Sequence, residues 1–147
     1  MATIDIREAW GLAEQTVYAK LLEATSAEDG DGAFLGAAGP GNSWSLYVGG
    51  GAADGPRAGC YSTLNLTARI VGQFYERADC IAWAGQVLGM LKDTNNMSSI
   101  AGTNVTWFRP TEWPGEPQET EDADGDRLFV QTFSMELIAR GDLTYSS

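Results

Sequence analysis

The first part of the chain shows the apolar spacing of an amphipathic helix. Apolar residues recur every three or four positions, at Ile6, Trp10, Ala13, Val17, Leu21 and Ala24. Asp5 and Glu8 have the spacing of a capping box, in which side chains satisfy free backbone N–H groups of the first turn. The pattern therefore predicts a helix over residues 5–25.

Two segments further along have the character of strands. Residues 43–48 alternate over a short stretch, and residues 60–75 carry the strongest period-two signal in the chain. In the longer segment, one parity holds Leu64, Leu66, Ala68, Ile70 and Phe74. Because successive side chains of a strand point to opposite faces, this sheet is expected to have one buried face and one solvent-exposed face.

The second half of the chain predicts one more helix and two more strands. Residues 77–92 are apolar on more than one helical face, so this helix is expected to be covered on more than one side. A short strand at 105–109 precedes a proline- and acid-rich loop at 110–126. Residues 127–140 alternate again, and Phe133 and Leu137 are expected on the same face as Leu66.

These elements predict an α+β fold in one domain spanning residues 1–147. The expected sheet is mostly antiparallel, with about four strands in the order α-β-β-α-β-β and both helices packed on one face. Residues 26–42 lack periodicity and are rich in glycine, which predicts a loop with room for one short strand at 34–35.

The length of the predicted strands carries a consequence for assembly. A strand over residues 60–75 would reach about 50 Å, whereas a globule of 147 residues is about 38 Å across. The strand must therefore bend, with Gly72 as a candidate position, or project toward a neighbouring molecule.

The amino-acid composition argues against several classes of catalytic and binding function. The chain has no histidine, and 20 Asp and Glu against 9 Lys and Arg give a net charge of −11. Without histidine, the usual general base and zinc ligand are missing. The negative charge disfavours binding to nucleic acid or to an anionic membrane. We expect no catalytic residues, no cofactor and no metal.

Two local features suggest chemistry only at first sight. The run Asp122-Ala123-Asp124-Gly125-Asp126 resembles a calcium loop, but Arg127 and Phe133 stand where such a loop needs Gly and Glu. Cys60 and Cys80 are expected to be free thiols, since two cysteines are too few to stabilise a domain of this size by disulfide bonds and no secretion signal is recognised. Cys80 is interpreted as a small buried hydrophobe.

One segment has the residue types of a protein contact. Trp107, Phe108, Arg109 and Trp113 lie where a predicted strand runs into a loop. Tryptophan and arginine are enriched at interface hot spots. The alternative, that the two tryptophans fold back over the core, stays open at this point.

The order of elements resembles that of the tail terminator, or tail-completion, proteins of long-tailed bacteriophages. The resemblance rests on the N-terminal helix, the Gly/Pro-rich stretch before residues 43–48, the strand-helix unit from Leu64 to Leu88, and the two-stranded end with residues 129–140. It is one of architecture over nearly the whole chain, and related head-tail adaptor and minor capsid proteins would look similar.

The resemblance implies a non-enzymatic virion protein, made in the host cytoplasm, that forms a hexameric ring at the head-proximal end of the tail. Its partners would be its own copies, the tail tube protein and the head-tail connector or stopper protein. DNA would pass through the ring without specific binding, and no membrane would be involved. The alternatives are another neck protein or an intracellular protein-binding module.

The acidic residues have an uneven distribution. Residues 112–126 contain Glu112, Glu116, Glu119, Glu121, Asp122, Asp124 and Asp126 and no basic residue. Such a run is expected to be extended and solvated. If a ring forms, Glu119, Glu121, Asp122 and Asp124, or else Glu28, Asp29 and Asp31, are candidates to line its channel or rim.

Overall fold

The structure, a computed structural model, describes the backbone of residues 3–49, 53–54, 60–92, 105–112 and 115–144 and the side chains of residues 10–49, 65–91 and 115–137. The two helices in these ranges are α1 (Ile6–Thr25) and α2 (Arg77–Lys92). The strands are β1 (Thr3–Asp5), β2 (Glu28–Asp29), β3 (Gly32–Leu35), β4 (Ser43–Gly49), β5 (Ala53–Asp54), β6 (Cys60–Phe74), β7 (Val105–Glu112), β8 (Gln118–Glu121) and β9 (Arg127–Thr144).

All described strands belong to one mixed sheet. Its main path is β1-β9-β6-β4-β3-β2, with β5 beside β6 and with β7 and β8 beside β9. The centre is the antiparallel pairing of β6 with β9, which runs from Phe74 opposite Phe129 to Cys60 opposite Thr144. β4 is antiparallel to β6, whereas β1 is parallel to β9 and β3 is parallel to β4.

The predicted fold class is therefore wrong. A nine-stranded mixed sheet replaces the expected antiparallel sheet of about four strands, and the element order begins with a strand. A short strand was expected at residues 34–35 and corresponds to β3, whereas β1, β2, β5 and β8, which the sequence did not reveal, are two to four residues long. Such short segments contain too few residues to show a period of two, and tertiary pairing with a longer strand selects their conformation.

The buried core lies between the two helices and one face of the sheet. Leu66 lies opposite Leu137 and Ile70 opposite Phe133, so the even positions of β6 and the odd positions of β9 share this face. All four side chains are fully buried or nearly so. The period-two prediction is confirmed for these residues; Phe74 is half-buried against the cluster, and the side chain of Leu64 lies outside the described part.

Helix α1 contributes Ala13, Val17, Tyr18 and Leu21 to this core. It begins at Ile6, directly after Asp5, as the capping-box spacing predicted. Trp10 departs from the apolar stripe because it is 41% exposed. Its indole N–H donates a hydrogen bond of 3.1 Å to the carbonyl oxygen of Val48 near the end of β4.

Gly72 of β6 lies under the ring of Trp83 from helix α2. A Cβ atom at this position would lie 2.4 Å from the ring of Trp83. The ladder passes through Gly72 without a change of register, and the irregularity in β6 falls between Tyr61 and Thr63 instead. Gly72 therefore makes room for the indole ring, and the bend expected at this position stays a prediction.

Candidate acidic hairpin and adjacent groove

The acidic segment after β7 forms a β-hairpin. Gln118–Glu121 pair antiparallel with Arg127–Val130 of β9. The prediction of a loop over residues 110–126 is wrong where β8 forms. It is also wrong at residues 110–112, which belong to the end of β7. All four side chains of β8 are exposed, so backbone pairing with β9 holds the strand in place although it buries no apolar side chain.

Asp122 organises the hairpin turn. Its Oδ1 accepts hydrogen bonds from the backbone N–H groups of Asp124 and Asp126, each 2.9 Å long. Its own N–H donates to the carbonyl oxygen of Asp126 at 2.9 Å, and Gly125 supplies a φ of +84°. This is the geometry of a three-residue hairpin loop with glycine in the left-handed region.

The charge state of Asp122 follows from these contacts. The backbone N–H of Asp126 is the main reason that the pKa of the Asp122 carboxyl lies below its ordinary value. The Tyr75 hydroxyl donates to Asp122 Oδ2 at 3.1 Å and lowers the pKa further. The same hydrogen bond raises the pKa of Tyr75. An ionised Asp122 is thus part of the folded hairpin.

A groove of about 450 Å³ lies between this hairpin and the loop at residues 36–42. Leu128 and Val130 of β9 and Gln73 of β6 contribute to it. These positions have the parity opposite to the buried core residues, so the groove opens on the sheet face away from the helices. Its remaining lining is Gly39, Pro40, Gly41, Tyr75, Thr120, Glu121, Asp122, Ala123 and Asp124.

The hairpin brings together the four acidic residues predicted for a lumen or rim. Glu119, Glu121, Asp122 and Asp124 all lie within or beside its turn. Glu119 is paired with Arg127 at 2.7 Å, with both side chains more than half exposed. An exposed pair of this kind contributes little stability, about 0–1 kcal/mol.

The second acidic group lies at the other edge of the sheet. Asp29 belongs to β2, which ends the strand path, whereas the hairpin is attached to β9. Asp29 Oδ1 accepts a 2.5 Å hydrogen bond from the Tyr18 hydroxyl. Burial, and then this hydrogen bond, raise the pKa of Tyr18. Asp29 thus has a contact with α1. Beside it, the backbones of Glu28 and Asp31 form an isolated antiparallel β-bridge.

The predicted protein-contact segment is described only in part. The backbones of Trp107, Phe108 and Arg109 belong to β7, and Trp107 lies opposite Leu137 of β9. The pairing becomes irregular between Trp107 and Pro110. The side chains of these residues and the whole of Trp113 lie outside the described residues, so the choice between a partner contact and core packing is untested.

The outer face of α2 is not covered by the residues that the structure describes. Cys80, Trp83 and Val87 are buried, and burial raises the pKa of the Cys80 thiol. The opposite face carries Ala78, Ile81, Ala82, Gly85 and Gly89, all exposed. Ile81 is 44% exposed. The predicted covering of this helix on more than one side is therefore not achieved by the described parts of the chain.

Sequence reasoning missed the residues that hold the groove together. Gln73, Tyr75 and Asn42 form side-chain hydrogen bonds between segments about 30 or more positions apart. No local pattern predicts such a contact. The only signal was the glycine-rich composition of residues 26–42, which predicted a loop but not the residues that it would contact.

Other kinds of site find no support in the described ranges. No three His, Cys, Asp or Glu side chains among those described come together as a possible metal site. Neither described helix combines the length and apolarity needed to cross a membrane. Comparison with protein-family models found no matching family, and comparison with curated proteins found no match.

Proposed function

We propose that this chain is a non-enzymatic structural virion protein that forms a ring, of six copies by the resemblance to tail terminators, and caps a phage tail tube. One side of the ring would bind the tube protein and the other the head-tail connector or stopper. The ring would belong to the head-proximal end of the tail. DNA would pass through its channel without specific binding.

The length of the β6–β9 ladder carries this proposal. β6 has 15 residues and β9 has 18. At about 3.3 Å per residue, β6 reaches about 50 Å, whereas the 20 residues of α1 cover about 30 Å. A ladder longer than either helix packed on it has room to offer strand surface to a neighbouring subunit. A head-to-tail contact of this kind assembles into a ring when the rotation closes.

The outer face of α2 supports the same proposal. Gly85 and Gly89 lie inside this helix, and a Cβ atom at either position would meet nothing within 4 Å. A glycine inside a helix costs about 1 kcal/mol relative to alanine, and no contact within the described protomer requires either glycine. Together with the exposed Ile81, they leave a flat surface on which a neighbouring backbone could pack closely.

The proposed role of the acidic hairpin is to keep the channel or its mouth negative. Basic walls would hold DNA phosphates through counterion release, whereas acidic walls repel them. At physiological ionic strength this field acts over about 8 Å, so only residues near the lumen would contribute. Glu119, Glu121 and Asp124 are the best candidates, since the carboxylate of Asp122 is engaged in the turn.

The first experiment measures assembly directly. Tag-free protein is examined by light scattering and electron microscopy, alone and with polymerised tail tube protein from the same phage. We expect closed rings at tube ends and a halt to tube growth. A two-fold dimer, or monomers along the tube, would contradict the proposal. Binding to the connector without an effect on tube growth would identify a neck adaptor instead.

A pair of variants tests the α2 face. Ala82→Arg places a charged side chain on the exposed outer face of α2, and Gln15→Arg does the same on an exposed position of α1. Both should fold, as checked by circular dichroism. If the α2 face packs against a neighbour, Ala82→Arg abolishes ring formation and Gln15→Arg does not.

A charge reversal tests the acidic hairpin. Glu119, Glu121 and Asp124 are replaced by lysine while Asp122 is kept to preserve the turn. Particles that assemble normally but eject DNA slowly, with the defect relieved by salt, would support the channel role. Normal DNA ejection from particles whose lysines are seen to face the lumen would contradict the channel role.

A further inference from the structure

Hydrogen bonds within the protomer hold both walls of the groove on the helix-free face. Gln73 Nε2 donates to the carbonyl oxygens of Gly39 at 2.7 Å and Gly41 at 3.2 Å, which ties the loop at 36–42 to β6. The side chain of Asn42 accepts a 2.9 Å hydrogen bond from the backbone N–H of Tyr75. These contacts hold the first wall.

The second wall is the hairpin turn, and it is held as firmly. The Tyr75 hydroxyl contacts Asp122, whose other carboxylate oxygen accepts two backbone N–H groups of the turn. Between the walls, Leu128 is 6% exposed and Val130 is half-buried. The groove thus combines an apolar floor with sides held by hydrogen bonds, and a preorganised site loses less entropy when it binds.

The charge of the groove is one-sided. Three of its lining residues, Glu121, Asp122 and Asp124, are acidic, and none of the lining residues is Lys or Arg. Arg127, at the base of the hairpin, is already paired with Glu119. The Tyr75 side chain, 38% exposed, adds an aromatic surface. The complementary ligand is a cation that carries apolar surface.

We propose that this groove is a docking site for an arginine-bearing segment of a partner protein. The aliphatic stem of the arginine lies on Leu128 and Val130, and the guanidinium reaches the carboxylate of Asp124 and the ionised Asp122 beside the Tyr75 ring. Arginine fits better than lysine because its planar group stacks on aromatic rings and bonds carboxylates through two N–H groups.

A different protein is the better occupant than a second copy of this chain. Each copy carries a net charge of −11, and approach of like charges to an acidic groove is unfavourable, whereas a basic partner is steered toward it. The inference does not depend on the ring, since the groove lies within one protomer and would bind the segment in a monomer as well.

The test uses a blocked tripeptide, acetyl-Gly-Arg-Gly-amide, titrated into isotopically labelled protein and followed by NMR. The citrulline analogue is the matched control, because it has the shape of arginine without its charge. We expect saturable shifts of the backbone amides of Gly41, Tyr75 and Asp124 with the arginine peptide, weaker shifts with a lysine peptide, and none with citrulline. Equal shifts with citrulline, or shifts confined to other surfaces, would overturn the proposal.

Two variants with the same change in charge localise the binding. Asp124→Asn removes a groove carboxylate but keeps the backbone N–H that the turn uses. Glu136→Gln removes an exposed carboxylate from the same sheet face outside the groove. We expect a loss of affinity of about threefold for Asp124→Asn, the size of one exposed ion pair, and no loss for Glu136→Gln. Equal effects, or groove shifts that follow protein concentration without peptide, would reject an arginine segment as the occupant.

Discussion

Strand β9 passes through two regions that are held together by different physical effects. Around Phe133 and Leu137 the strand is paired with β6 and covered by helices, and its odd-numbered side chains are fully buried. Around Arg127 the same strand is paired with the exposed strand β8. Burial of apolar area stabilises the first region. In the second region, Asp122 and the backbone hydrogen bonds of the turn fix the shape.

The difference explains why the two regions carry different properties. A buried layer tolerates few substitutions, since its neighbours relax only in part around a change. The hairpin can carry a high density of charge because its side chains stay in water. The protein can thus keep its acidic surface at the hairpin and groove without burying an unpaired charge in its core.

The largest expected effect tests the buried region. Phe133→Ala should lower the free energy of unfolding by about 3–5 kcal/mol, the range for removal of a buried phenylalanine side chain. Thr132→Ala, next to it on the exposed face, should change it by less than about 0.5 kcal/mol. Urea denaturation measures both. Similar urea midpoints for the two variants would contradict the assignment of faces.

The next effect tests the contact between sheet and helix. Gly72→Ala places a methyl group against the ring of Trp83, and overpacking of this kind costs about 1–3 kcal/mol. Gly49→Ala is the control in the same sheet, because its Cβ would lie 3.7 Å from the carbonyl oxygen of Thr67, an ordinary contact. In the double variant with Trp83→Leu, the cost of Gly72→Ala should become smaller.

A smaller effect of opposite sign is expected on the outer face of α2. Gly85→Ala should stabilise the chain by up to about 1 kcal/mol, because alanine is the better helix former and the site is open. The thermal unfolding midpoint of the unassembled protein measures this gain. A destabilised variant would show that Gly85 has a contact inside the protomer and would weaken its proposed role at an interface.

The smallest effect, and the one that depends on pH, belongs to the hairpin. The folded state holds the pKa of Asp122 below its ordinary value of 3.8, so its stabilising contribution is present above about pH 4 and is lost as the pH falls through the folded pKa. Asp122→Ala should therefore lower the urea midpoint at neutral pH, and the difference from the unchanged protein should shrink in acid. Asp124→Ala, whose carboxylate the turn does not use, should show no such dependence.

The long elements were predictable from sequence because their signals are local. Helix 77–92 has the predicted bounds, and the alternation of residues 60–75 correctly placed Leu66 and Ile70 on one face with Phe133 and Leu137. The acidic residues of the candidate site could also be predicted as a group, because they are close together in the sequence. Their arrangement in a hairpin could not, since Gln118–Glu121 shows no strand alternation.

What the sequence determined by itself was therefore the periodic core, the excess of acid and the lack of histidine. Only the tertiary structure decided that β1 and β3 pair in parallel with their neighbours, that Gly72 makes room for Trp83, and that a groove forms beside Asp122. The physical reason is that a period in sequence reports which side of a segment faces the core. The partner of an edge strand or of a polar side chain depends on contacts across tens of residues, and no local pattern records them.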